Sequence, residues 1–146
     1  MKNLLLPYKF KLTGLILITV SFALTVAYFW FNFQLRIPVF AVLSSFIETR
    51  MFVTFQTNFA DELILILLLS GILLLVFTRE KNEELIPEYI RLKALMYALL
   101  VNSGMLLFSA MFVYGSGFVA VLVFNFISLP VFYLIVFYIL KRKLNG

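Results

Sequence analysis

The chain has 146 residues, of which 64% are hydrophobic and 13% charged, and its mean hydropathy is +1.08. A soluble domain sits nearer 45–50% apolar and 25% charged, so this composition points to a single integral membrane domain. With no Cys and no His there is no disulfide, thiolate nucleophile or Cys-based metal site, and the commonest general base and transition-metal ligand are both absent.

The first apolar span runs from about residue 12 to 33, behind Lys2, Lys9 and Lys11. It is too long for the apolar region of a signal peptide. It also passes through Tyr28-Phe29-Trp30-Phe31 with no small-x-small cleavage site, so it reads as an uncleaved signal anchor with an aromatic belt at its outer end. The connector that follows is apolar on one helical face. Val39, Phe40, Leu43, Phe46 and Ile47 fall together, opposite Ser44, Ser45, Glu48 and Thr49, with Pro38 suited to a first helical position. That spacing predicts an interfacial helix over about 38–50, serving as a lid or a partner surface. The β-branched and aromatic run Met51-Phe52-Val53-Thr54-Phe55 leaves the backbone of 51–57 open.

The second span covers about 60–78, with Asn58 placed as its N-cap and Asp61 and Glu62 in the first turn. An inner connector, 79–93, holds most of the polar residues. Helical spacing there pairs Arg79 with Glu83 and Glu88 with Arg91, and Pro87 opens the next helix. From Ala94 to Leu140 no side chain is charged, and the turn Tyr114-Gly115-Ser116-Gly117 divides this stretch into spans of about 94–113 and 118–140. The fold expected is therefore all-α, a four-transmembrane-helix antiparallel bundle with one short interfacial helix.

Orientation follows from Lys and Arg beside the spans. The N-terminal arm, the 79–93 connector and the Lys141-Arg142-Lys143 tail share one side, and of the chain's 12 basic residues only Arg36 and Arg50 lie on the other. Both termini are expected in the cytoplasm, and the protein in a bacterial inner membrane. Because the net charge of +5 flanks apolar spans, it suits anionic lipid and not nucleic acid.

Inside the spans the polar residues are neutral. Gly14, Ser21, Thr25, Tyr28 and Asn32 share a face of span one, and Ser70 and Gly71 mark span two. Ala94, Ala98, Asn102 and Ser109 share a face of span three, and Gly117, Val121, Asn125 and Ser128 one of span four. Small and amide residues are what close membrane-helix contacts use, so Asn102, Asn125, Ser109 and Ser128 are the candidate intramembrane contacts, with Asn102 placed to pair with Asn125. A solute pocket built on the two Asn is the sharper alternative. Pro130 is expected to kink span four.

The segments Arg79-Glu80-Lys81-Asn82-Glu83-Glu84 and Arg91-Leu92-Lys93-Ala94-Leu95-Met96-Tyr97-Ala98, with Val113-Tyr114-Gly115 and Val123-Phe124-Asn125, resemble a family of small four-pass membrane proteins of Bacteroidetes-type bacteria. Tyr97 stands where Trp is commoner in that family, and Asn102-Ser103 where Asn-Tyr is commoner. The resemblance covers roughly the C-terminal half and implies no catalytic residue. Such proteins resemble those encoded beside small helix-turn-helix regulators, which hints at membrane signalling.

No catalytic constellation, phosphate loop or metal-ligand spacing is present, and no ionisable residue lies mid-span as proton-coupled carriers require. The expectation is a non-enzymatic accessory or regulatory subunit without cofactor or metal. It would act through a membrane or cytoplasmic protein partner, with candidate docking residues Glu80, Glu83, Glu84, Glu88 and Arg91. A small oligomeric transporter or channel, built as a homo-oligomer, is the alternative.

Overall fold

The computed structural model describes residues 4–44 and 50–146. Four long helices dominate: α1 (Lys9–Phe31), α2 (Ala60–Phe77), α3 (Glu88–Phe112) and α4 (Ser116–Asn145). Each is long and apolar enough to cross a bilayer. Even α2, with 18 residues, reaches about 27 Å at 1.5 Å per residue. In lipid the backbone must satisfy its own hydrogen bonds, which is why these apolar runs are helical from end to end. The helices overrun the apolar windows at their charged ends. α3 begins at Glu88, directly after an extended Pro87 (φ −62°), and carries Arg91 and Lys93 within it.

The interfacial helix expected over 38–50 is not what forms. Arg36–Ser44 is a strand, β1, and it pairs antiparallel with β2, Arg50–Asn58, in a register that sets Arg36 opposite Asn58 and Ser44 opposite Arg50. Ser45, Phe46, Ile47, Glu48 and Thr49 lie outside the described residues. The helical spacing in this connector coexists with a second signal, β-branched and aromatic residues at Ile37, Val39, Phe40 and Val42. The equally β-prone run 51–55 supplies the partner strand, and cross-strand pairing overrides the weaker periodicity. Pro38 sits in β1 opposite Gln56, a position whose strand carries pairing on one side only.

The chain divides into two compact units, Met1–Ile16 with Leu69–Gly146, and Leu17–Leu68. In the first unit α3 and α4 form a helical hairpin about Ile86, Ile90, Ala94, Ala98, Tyr133 and Phe137. The turn between them uses Gly115 at φ 69°, a left-handed conformation that favours glycine. Gly14 of α1 lies against α2 so closely that a Cβ there would come within 2.9 Å of the Gly71 carbonyl and 3.1 Å of Leu74 Cβ. This small-residue contact is the one the polar stripe on span one implies. The N-terminal arm lies along the end of α2: Leu6 N–H donates to Phe77 O (2.8 Å) and Arg79 N–H to Leu6 O (2.9 Å). α4 continues through Pro130 as one helix, at the cost of one backbone donor.

In the second unit Ser21, fully buried on α1, donates its hydroxyl to Ile64 O of α2 (2.9 Å). Asn58 Oδ1 accepts from Ala60 N–H (3.3 Å) and from Leu35 N–H (2.9 Å). One side chain thus caps the start of α2 and ties it to the residue preceding β1. Asn32 ends α1 in the left-handed region at φ 49°, a conformation Asn tolerates better than most residues.

Candidate functional site

Two polar assemblies stand out in the first unit. The first is built on Arg91, which is 6% exposed although fully charged. Buried guanidinium is costly unless every donor is met, and here five acceptors face its five N–H groups. Nε donates to Glu83 Oε1 (2.7 Å) and Nη2 to Glu83 Oε2 (2.9 Å), a two-pronged ion pair. Nη1 donates to the Tyr133 hydroxyl (3.0 Å) and Val76 O (3.5 Å), and Nη2 also to Thr78 O (3.4 Å). Phe137 lies beneath the guanidinium, 4.6 Å from Cζ to ring centroid. Val76 and Thr78 are at the C-terminal end of α2, where carbonyls have no helical partner and the dipole end is negative. Arg91 therefore caps α2 from α3 and is anchored to α4 through Tyr133.

Glu80 organises the second half of this cluster. Its Oε1 accepts from Lys11 Nζ (2.7 Å) and the Tyr138 hydroxyl (3.2 Å), and its Oε2 accepts from Lys141 Nζ (2.7 Å). The two halves join where Glu80 N–H donates to Glu83 Oε2 (2.8 Å). Burial pushes the Glu80 carboxyl up, but hydrogen bonds and charge from Lys11 and Lys141 outweigh it and hold the group below its ordinary 4.5. Glu83 behaves likewise: burial raises it, but the Arg91 hydrogen bonds and charge, with the Glu80 N–H, outweigh that and hold it low.

This geometry corrects the reading of the connector. α2 ends at Phe77, so Arg79 is not one helical turn ahead of Glu83, and Glu83 turns to Arg91. Arg91 in turn makes a two-pronged pair with Glu83, eight residues before it. Glu80, Glu83 and Arg91 are internal fastenings and not a docking surface. Glu84 and Glu88 are exposed, as are Leu85 (71%) and Tyr89 (58%) between them. Lys11, Thr78, Tyr133, Tyr138 and Lys141 belong to the cluster although sequence reasoning did not single them out for it. The signal for Arg91 was present: it precedes Ala94, Ala98 and Asn102 by steps of three, four and four, on the stripe that α3 buries.

The second assembly is the amide pair. Asn102 Nδ2 donates to Asn125 Oδ1 (3.0 Å), and Asn125 Nδ2 donates to the Asn102 carbonyl (3.0 Å). Ser128 Oγ donates to Asn102 Oδ1 (2.6 Å) and sits 2.9 Å from Asn125 O. Three of the four candidate contacts thus form one closed network joining α3 to α4. Ser109 stands apart from it and lines a cleft of about 390 Å³ with Asn125 and Ser128. Among the described residues no group of three or more acidic residues has the geometry to hold a metal.

Comparison with family models, curated proteins and solved structures finds no match to this chain.

Proposed function

We propose that the chain is a non-enzymatic protein of a bacterial inner membrane, with both termini and the 79–93 connector in the cytoplasm, acting as an accessory or regulatory subunit through protein–protein contacts. The observation that carries this reading is the fastened connector. Glu80, Glu83 and Arg91 hold it from within, and Glu84, Leu85, Glu88 and Tyr89 are exposed on its outer rim. A rim of two acids and two large apolar residues on a fixed turn has the composition of a contact patch, with an apolar centre and a polar edge. The absence of ionisable residues from the middle of the spans supports it against a proton-coupled carrier.

The experiment is photocross-linking from position 89 in native membranes. A discrete protein adduct at Tyr89, weakened by Glu84→Gln with Glu88→Gln, supports the reading. Adducts to lipid alone would remove it. A small oligomeric transporter or channel is the second reading, favoured by the cleft that Ser109, Asn125 and Ser128 line within an otherwise apolar pair of helices. It requires solute flux in proteoliposomes that Asn125→Leu abolishes without unfolding the protein.

A further inference from the structure

We propose that the groove between α2 and α4 binds one acyl chain of an anionic phospholipid, a site independent of the accessory-subunit reading. The groove encloses about 440 Å³ and is walled by Leu69 and Leu73 of α2 and by Phe126, Leu129 and Pro130 of α4, with Leu95 of α3 at its base. Leu69 to Val76 and Phe126 to Tyr133 are each seven helical steps apart, so both walls are about 10 Å deep along the helix axes. Both walls belong to helices of membrane length. Water gains nothing there, because a buried water needs two to four polar partners. Among the described residues Arg91 and Tyr133 are the only polar side chains on the lining, and the guanidinium donors are already taken by Glu83, Tyr133, Val76 and Thr78. A flexible alkyl chain fits this recess without a polar cost.

Charge decides which lipid. On α4, Tyr133, Phe137 and Lys141 follow one another at four-residue steps, so the face that lines the groove leads directly to Lys141. Tyr133 and Phe137 are stacked, 5.9 Å between centroids. Lys141 and Lys11 share the single carboxylate of Glu80. Both ammonium groups also lie over the Tyr138 ring, 5.3 Å (Lys11) and 5.8 Å (Lys141) from its centroid, and their side chains are still 21% (Lys11) and 25% (Lys141) exposed, which leaves part of each to a headgroup. Two ammonium groups against one carboxylate, beside a Glu83–Arg91 pair that is neutral overall, leave one positive charge in the cluster that meets the groove lining through Arg91. Leu4 and Leu5 of the N-terminal arm also line the groove. A phosphate with no compensating cation matches that surplus. A zwitterionic headgroup brings its own cation against the same lysines.

The test is native mass spectrometry of the full chain in mild detergent, titrated with phosphatidylglycerol or with phosphatidylcholine of identical acyl chains. One phosphatidylglycerol should be retained per chain, preferred over phosphatidylcholine by roughly fivefold or more, on the scale of one or two lysines meeting an anionic headgroup. Leu73→Trp, which fills the groove, should abolish retention of both lipids while far-UV circular dichroism stays unchanged. Leu129→Trp makes the same test from the opposite wall if the first variant does not fold. Lys11→Gln with Lys141→Gln and Glu80→Gln, which removes the cations without stranding the carboxylate, should keep uptake but erase the preference. Undiminished retention in a folded Trp variant overturns the site, and equal retention of the two lipids by the wild type overturns the anionic assignment. A dimer that dissociates on Leu73→Trp would make a second copy the occupant and overturn both.

Discussion

Removing the Glu83 carboxylate should be among the most damaging single changes to this protein. Glu83→Ala takes away two of the five acceptors around Arg91 and its ion-pair partner, leaving a guanidinium that is only 6% exposed. Exposed ion pairs contribute about 0.2–1 kcal/mol, but stranding one partner of a buried pair costs about 3–5 kcal/mol. The side chains here are 7% and 10% exposed, which places the pair in the second class. Arg91→Met should cost a similar amount, because it strands Glu83 and also uncaps Val76 and Thr78 at the end of α2. The double variant Glu83→Met with Arg91→Met has no stranded charge and should recover at least about 2 kcal/mol of the summed losses. Sodium dodecyl sulfate titration in mixed micelles, followed by far-UV circular dichroism, measures all three. Losses under about 1 kcal/mol that add in the double variant would show the pair to be solvated and the reasoning wrong.

Gly14→Ala should destabilise by about 1–3 kcal/mol, since the new methyl meets Gly71 O at 2.9 Å and backbone yields poorly. The same titration reads it. Asn102→Leu and Asn125→Leu should each cost about 1 kcal/mol and couple non-additively, because either one removes the Asn102 Nδ2 to Asn125 Oδ1 bond they share; additive losses would separate them. Glu80 and Glu83 are held below 4.5 in the folded chain. Their contribution is therefore complete above that value and fades as pH falls through the lowered folded values. Unfolding measured from neutral pH to below 4 should show this acid loss, and Glu80→Gln should flatten it.

The helices were legible because length, apolar composition and the Gly115 turn are local signals. So was the Asn102–Asn125 pair, since two amides at comparable distances from a turn, on the small-residue stripes of antiparallel helices, are placed to pair. The connector was misread for a physical reason. A Glu-Lys-Asn-Glu-Glu run looks solvated, and nothing within a few residues reveals that Glu80 will meet Lys11 and Lys141, 69 and 61 residues away. Arg91 was misread as a docking residue too, although its place on the Ala94–Ala98–Asn102 stripe carried a local signal of burial. The β1–β2 hairpin was missed because residues 36–44 carry helical and strand signals together, and only pairing with 50–58 decides between them.

The rim-and-fastening account is tested most directly by cysteine accessibility, which the absence of native Cys makes clean. Single cysteines at Glu84, Tyr89, Gln56 and Thr78 would be treated with a membrane-impermeant maleimide, in intact cells and in inverted vesicles. Positions 84 and 89 should label only in inverted vesicles, position 56 on β2 only in intact cells, and the buried position 78 in neither without denaturant. Labelling of 84 or 89 from outside the cell, or of 78 as fast as 84, would contradict the account.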